Sequence, residues 1–240
     1  MRRTRHLKPR EIQGCQLALD ASIPTSLYDA TSGGSPVAAD GAVARWEDQS
    51  GNSRHATQST GSLQPIRKLA VYNGQPTIRF DSGDWMTAGS FLNGMTVSVF
   101  AVARRQSNTD FNAAISAGAA GFDTRTMSLS LRSIYDSPND AARFYPVTST
   151  VYVNSKTGSA ALSSSPMANP VVLCGIAGNT ISISRSTDTV IGALRDSLGA
   201  VSRFNLSGDL SEVFVISAAV SNFLAIRLSA CLQRKWRISG

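Results

Sequence analysis

The stretch from Trp46 to Gln58, Trp-Glu-Asp-Gln-Ser-Gly-Asn-Ser-Arg-His-Ala-Thr-Gln, constrains the fold of this chain more than any other. A large aromatic leads into Asp48-Gln49-Ser50-Gly51-Asn52, where Gly51 and Asn52 are residue types that tolerate positive φ. Such a run makes a tight turn, and Trp46 beside it reads as a side chain pinned against a core. His55 lies inside the same block. It is expected to hold or pack the turn, because no nucleophile motif accompanies it.

The remainder is written in strands and turns. Met95–Arg104 has Val97, Val99, Ala101 and Ala103 on one face and Phe100 and Val102 on the other, so it should run centrally in a sheet. Gln64–Ile66 and Ala70–Tyr72 read as two short strands. Asn73-Gly74 predicts a hairpin turn before a strand at Pro76–Phe80. Pro170–Ala177 and Thr180–Ser186 predict a further hairpin, and Thr189–Leu194 another strand. Asp209–Ser217 is apolar on both faces and should be buried between layers. Ser221 can cap a helix from Asn222 to about Trp236. Its apolar stripe is read as Leu224, Leu228, Cys231 and Leu232, with Arg227, Arg234 and Lys235 facing water. Without internal repeats, this pattern implies one all-β domain: an antiparallel two-sheet sandwich of jelly-roll type with one C-terminal helix. Its bounds are 16–240, with the helix at 221–237 and a basic arm at 1–15.

The arm carries most of the charge. Arg2, Arg3, Arg5, Lys8 and Arg10 stand against Glu11 alone, a net of +4 out of +7 for the chain. These five cations are the candidate partner-anchoring residues. No aromatic interleaves with them, so base stacking and nucleic acid are not suggested. No apolar run approaches the ~18 residues that a membrane span needs. The basic start has no apolar segment after it, so no export signal is expected, and folding is expected in a reducing cytoplasm. Cys15, Cys174 and Cys231 form no disulfide framework and read as free thiols.

Four blocks in order carry a resemblance: Leu17-Ala18-Leu19-Asp20-Ala21-Ser22, the Trp46–Gln58 corner, Gly74-Gln75-Pro76-Thr77-Ile78-Arg79-Phe80-Asp81, and Gly208-Asp209-Leu210-Ser211-Glu212-Val213. With them the chain resembles the concanavalin A-like lectin/glucanase superfamily, in the laminin-G-like form found in phage structural and bacterial surface proteins. The resemblance implies a lectin-like sandwich and a phage context: a non-enzymatic virion protein, assembled in the host cytoplasm as capsid decoration, head fibre or tail component. The expected partners are other virion proteins through the arm, copies of the same chain, and host glycans. The alternative is a carbohydrate-binding adhesin module, and less favoured still is a glycan hydrolase.

Glucanases of that superfamily set acidic residues as Glu-x-Asp-x-x-Glu on one strand. Here Glu11, Glu47 and Glu212 are the only glutamates, each isolated. Asp209 and Glu212, three apart, should point to opposite faces of a strand. No catalytic residue is therefore nominated. Asp48, Ser50 and Asn52, or Asp81 and Asp84, superficially resemble calcium ligands, but turn-stabilising hydrogen bonds account for both, so no metal or other cofactor is expected. Trp85, Tyr135 and Tyr145 are candidate sugar platforms, yet no pattern locates a ligand site.

Overall fold

The computed structural model describes residues 11–81, 83–106, 111–117, 127–132, 141–145, 150–157, 167, 169–178, 180, 188–195, 201–203 and 205–238. Its strands begin with β1 (Cys15–Asp20), β2 (Leu27–Tyr28), β3 (Arg45–Trp46), β4 (Ala56–Thr57), β5 (Ile66–Tyr72) and β6 (Gln75–Asp81). Then come β7 (Met86–Thr87), β8 (Ser98–Arg105), β9 (Phe111–Ala117), β10 (Met127–Arg132), β11 (Ala141–Tyr145) and β12 (Thr150–Val153). The last are β13 (Lys156–Thr157), β14 (Val171–Ile176), β15 (Val190–Ile191), β16 (Leu194–Arg195), β17 (Val201–Arg203) and β18 (Ser207–Ile216), followed by helix α1 (Asn222–Lys235).

Two antiparallel sheets form the sandwich. The first runs β13-β12-β14-β8-β18-β6-β5, with β1 also paired to β18, and the second runs β11-β10-β9-β15-β7-β4-β3-β2. The doubly apolar pattern of β8 and β18 has its cause here. They are neighbours at the centre of the first sheet, packed against β9 of the second sheet, while α1 lies on the adjacent strand β14. Phe100 and Phe214 stack across that pair with ring centroids 4.6 Å apart. Asn73 and Gly74 both take positive φ, 52° and 70°, and close the β5–β6 hairpin as expected.

Several local expectations are corrected. Residues 66–72 form one strand, not two, with a pairing irregularity between Lys68 and Tyr72. Both edges of β14 are taken, by β8 and β12. The expected second arm, 180–186, lies almost wholly outside the described residues. The strand foreseen at 189–194 is broken at Gly192, which holds φ 81° between β15 and β16.

Ser221 caps α1, its hydroxyl accepting from the Leu224 N–H at 3.3 Å. The buried stripe is Ala225, Leu228, Ser229 and Leu232, so the helix is rotated from the expected face. Small Ala225 and Ser229 let it lie close on the sheet, leaving Leu224 40% exposed. Lys235 does not face water; it turns onto two carboxylates. The three thiols are unpaired. Burial pushes Cys174 up, and burial followed by the Asp48 charge pushes Cys15 up to about 12, so both stay protonated.

Candidate functional site

The corner is a joint between the sheets. Trp46 is fully buried, paired with Leu27 on one side and Ala56 on the other. Asp48 Oδ1 accepts from the N–H groups of Ala18 (2.8 Å) and Ser50 (2.9 Å). Its Oδ2 accepts from the Ser50 hydroxyl (2.7 Å) and the Arg54 N–H (3.1 Å). Asn52 Nδ2 donates to the carbonyls of Cys15 and Gln16 at 3.0 and 3.2 Å. His55 Nδ1 accepts from the Asp48 N–H at 3.1 Å. Asp48 Oδ1 thus fastens β1 to the turn between β3 and β4, and Oδ2 holds that turn closed.

At the second acidic turn, Asp84 accepts from the Asp81 N–H and Asp81 from the Gly83 N–H, each at 3.1 Å. Burial pushes the Asp84 carboxyl up to about 7, with the Asp81 N–H pulling it down and the Asp81 charge adding to the rise. Among the described residues, no three His, Cys, Asp or Glu side chains gather as a metal site would need.

Asp209 and Glu212 were expected on opposite faces, and the structure puts them on the same one. Leu210 pairs with Ala103 but Glu212 pairs with Val102, so Ser211 is an extra bulged residue that resets the alternation. Asp209 sits opposite Arg104 and Arg79, on the face that α1 shares. Its carboxylate is fully buried. It receives Arg79 Nε at 2.9 Å and Nη2 at 3.3 Å, Arg104 Nε at 2.9 Å, and Gln106 Nε2 at 3.0 Å. The arginine side chains remain 29% and 15% exposed. Beneath them Tyr72 lies 5.5 Å from the Arg104 guanidinium, its hydroxyl bonded to Ser211 and Thr77. The result is two planar guanidiniums and one amide, each only partly exposed, held by a carboxylate that water does not reach.

The other carboxylate belongs to a second cluster. Asp20 and Glu212 stand directly opposite each other across β1 and β18. Lys235 Nζ lies 2.6 Å from Asp20 Oδ2 and 2.7 Å from Glu212 Oε2, and the Trp236 indole N–H donates to the same Oε2 at 2.6 Å. Burial, then the charge of Asp20, pushes Glu212 up to about 7 against the pull of Lys235 and Trp236. Burial pulls the Lys235 ammonium down, but the two carboxylates outweigh it and the net shift is upward.

Neither arginine nor Gln106 was nominated from the sequence. Their pairing with Asp209 spans more than a hundred positions, and the only local signal was a polar Ser211 within an apolar strand. Glu47 Oε1 lies 3.3 Å from Arg45 Nε. Trp85 is half-buried, and Tyr135 and the Tyr145 side chain lie outside the described residues, as do Arg2, Arg3, Arg5, Lys8 and Arg10.

No family model matches the chain, and no curated protein does. Among solved structures it is similar to domain 4 of AbnA, a GH43 extracellular arabinanase from Geobacillus stearothermophilus, determined in complex with arabinotriose. The TM-score is 0.51 at 12% identity, over 90% of this chain and 100% of that domain. At that identity the likeness is one of fold: the chain is a two-sheet antiparallel β-sandwich over most of its length.

Proposed function

We propose that the chain is a non-catalytic sandwich module that binds glycan at the partly exposed arginine cluster on the outer face of its first sheet. The observation that carries this reading is the cluster of Arg79, Arg104 and Gln106 around buried Asp209. Neighbouring sugar hydroxyls offer paired oxygens in one plane, which rigid guanidinium and amide groups match, and fixing them beforehand lowers the ordering cost of binding. The similar arabinanase domain was solved holding an arabinose trisaccharide, which supports the ligand class. Hydrolysis would need two carboxyls free to act as acid and base across a bond. Asp209 is occupied by two arginines and Glu212 by Lys235 and Trp236, which supports a binding role rather than a catalytic one.

Affinity electrophoresis and calorimetry against arabinan oligosaccharides and bacterial surface polysaccharides test this. Binding should fall at least about tenfold in Arg79→Ala and Gln106→Ala, the equivalent of about 1.4 kcal/mol. No reducing ends should be released. Undiminished binding by both variants, or no binding across the panel, would overturn it.

A second reading concerns the setting, and the charge distribution favours it. The laminin-G-like resemblance and a +4 arm on a domain carrying only +3 support a virion protein tethered through Arg2, Arg3, Arg5, Lys8 and Arg10 to a neighbouring subunit. Particles assembled with chains lacking residues 1–11 should omit the protein, more so than full-length particles at raised salt. Equal incorporation of both chains would sink the tether.

A further inference from the structure

Two acids against one lysine is more than an ion pair requires. A structural pair would be satisfied by one carboxylate, and a second one placed directly across the ladder from it adds repulsion. Neither glycan binding nor tethering uses this group. We propose that Lys235 and Asp20 condense into an intramolecular amide bond, with Glu212 as the catalytic proton carrier.

Each part that such a condensation needs is present. The nucleophile, Lys235 Nζ, lies 2.6 Å from Asp20 Oδ2. The other oxygen of the same carboxyl, Oδ1, accepts from the Ser22 N–H at 2.9 Å and the Ser22 hydroxyl at 2.6 Å. Those two donors polarise the carboxyl and are aimed where negative charge develops during attack. Glu212 Oε2, 2.7 Å from Nζ, is within proton-transfer distance. Trp236 holds that oxygen from the far side and is a positioning residue. Asp20 is 6% exposed, Glu212 4%, Trp236 not at all and the Lys235 side chain 20%, so water has little access to the carboxyl under attack. The raised Glu212 carboxyl, at about 7, exchanges protons near neutrality. Holding amine and acid together supplies an effective concentration on the order of 10⁵–10⁸ M.

The step balances without any further reagent. Glu212 takes one proton from the Lys235 ammonium and passes it to Asp20 Oδ2, leaving a neutral amine beside a neutral acid. The Nζ lone pair forms the bond to Cγ as the carbonyl pair moves onto Oδ1, under the Ser22 donors. Glu212 carries a second proton from nitrogen to Oδ2. The Oδ1 pair then re-forms the carbonyl, the Cγ–Oδ2 bond breaks and water departs. One hydrogen remains on the amide nitrogen, and Glu212 ends as it began. The product ties β1 to the last residue of α1, positions 215 apart.

Intact-mass measurement of the denatured full-length chain tests the proposal directly. The expected mass is one water, about 18 Da, below that of the sequence, and proteolysis should yield a branched peptide joining the Asp20 and Lys235 segments. Lys235→Arg should have the full mass, and Glu212→Gln should slow bond formation by about 10²–10⁴-fold. A folded parent chain that keeps its full mass after prolonged incubation would overturn the proposal and leave Lys235 as an ion-pair partner. So would a water loss that maps to a cyclic imide at Asp20 alone. Both readouts come from the unmodified chain, so a variant that fails to fold does not blunt them.

Discussion

Gly192 lies so close against the ring of Phe80 that a Cβ on it would overlap ring carbons Cδ1 and Cε1. Phe80 belongs to the first sheet and Gly192 follows a strand of the second, so the contact is a point of closest approach between the layers. Gly192→Ala is expected to cost about 1–3 kcal/mol from overpacking, with strain at φ 81° added. Denaturant midpoints measure it. Phe80→Leu in the same chain should recover part of the loss, and strict additivity would place the whole cost in the backbone.

Trp46→Ala should destabilise by about 3–5 kcal/mol, as a large truncation at a fully buried site. A loss under about 1 kcal/mol in denaturant melts would contradict its role as the pin of the corner.

Chelation should leave the thermal midpoint where it is. The oxygens of Asp48 are saturated by four donors, so no bound ion is needed to hold the corner. A midpoint that drops in EDTA and returns with calcium would put Asp48 and Asn52, or Asp81 and Asp84, back among ligands.

Asp84 should give stability a downward slope with pH. Its folded pKa is pushed up to about 7 from an ordinary 3.8, so the folded state binds the proton more tightly. The carboxyl favours folding while protonated, and that contribution is lost progressively as pH rises from about 4 to about 7. Asp84→Asn should therefore melt at the same temperature as the parent near pH 4 and several degrees higher at pH 8. Parallel melting curves across that range would show that Asp84 titrates normally.

The layers of this fold were legible because their signals are local. Runs apolar on both faces marked β8 and β18, and Asn73-Gly74 marked its hairpin. Residues 189–194 read as one strand, and the break at Gly192 was not legible because its cause, the ring of Phe80, comes from a distant element. The candidate site was hidden for a related cause. A strand without a bulge would have separated Asp209 from Glu212, and one inserted residue, Ser211, reverses that geometry. Likewise nothing near Lys235 in the chain announces Asp20; the two meet only once β1 has paired with β18 and α1 has folded back beside them.

The place of β18 also sets when the fold can close. It is wedged between β8 on one edge and β6 and β1 on the other, yet it follows all three in the chain. Until residues 207–216 emerge, the first sheet exists as two fragments and a lone strand, each with open backbone edges. Synthesis of β1, β6 and β8 therefore precedes closure of the sheet, and the nascent protein passes through a long interval in which these edges are open to wrong partners.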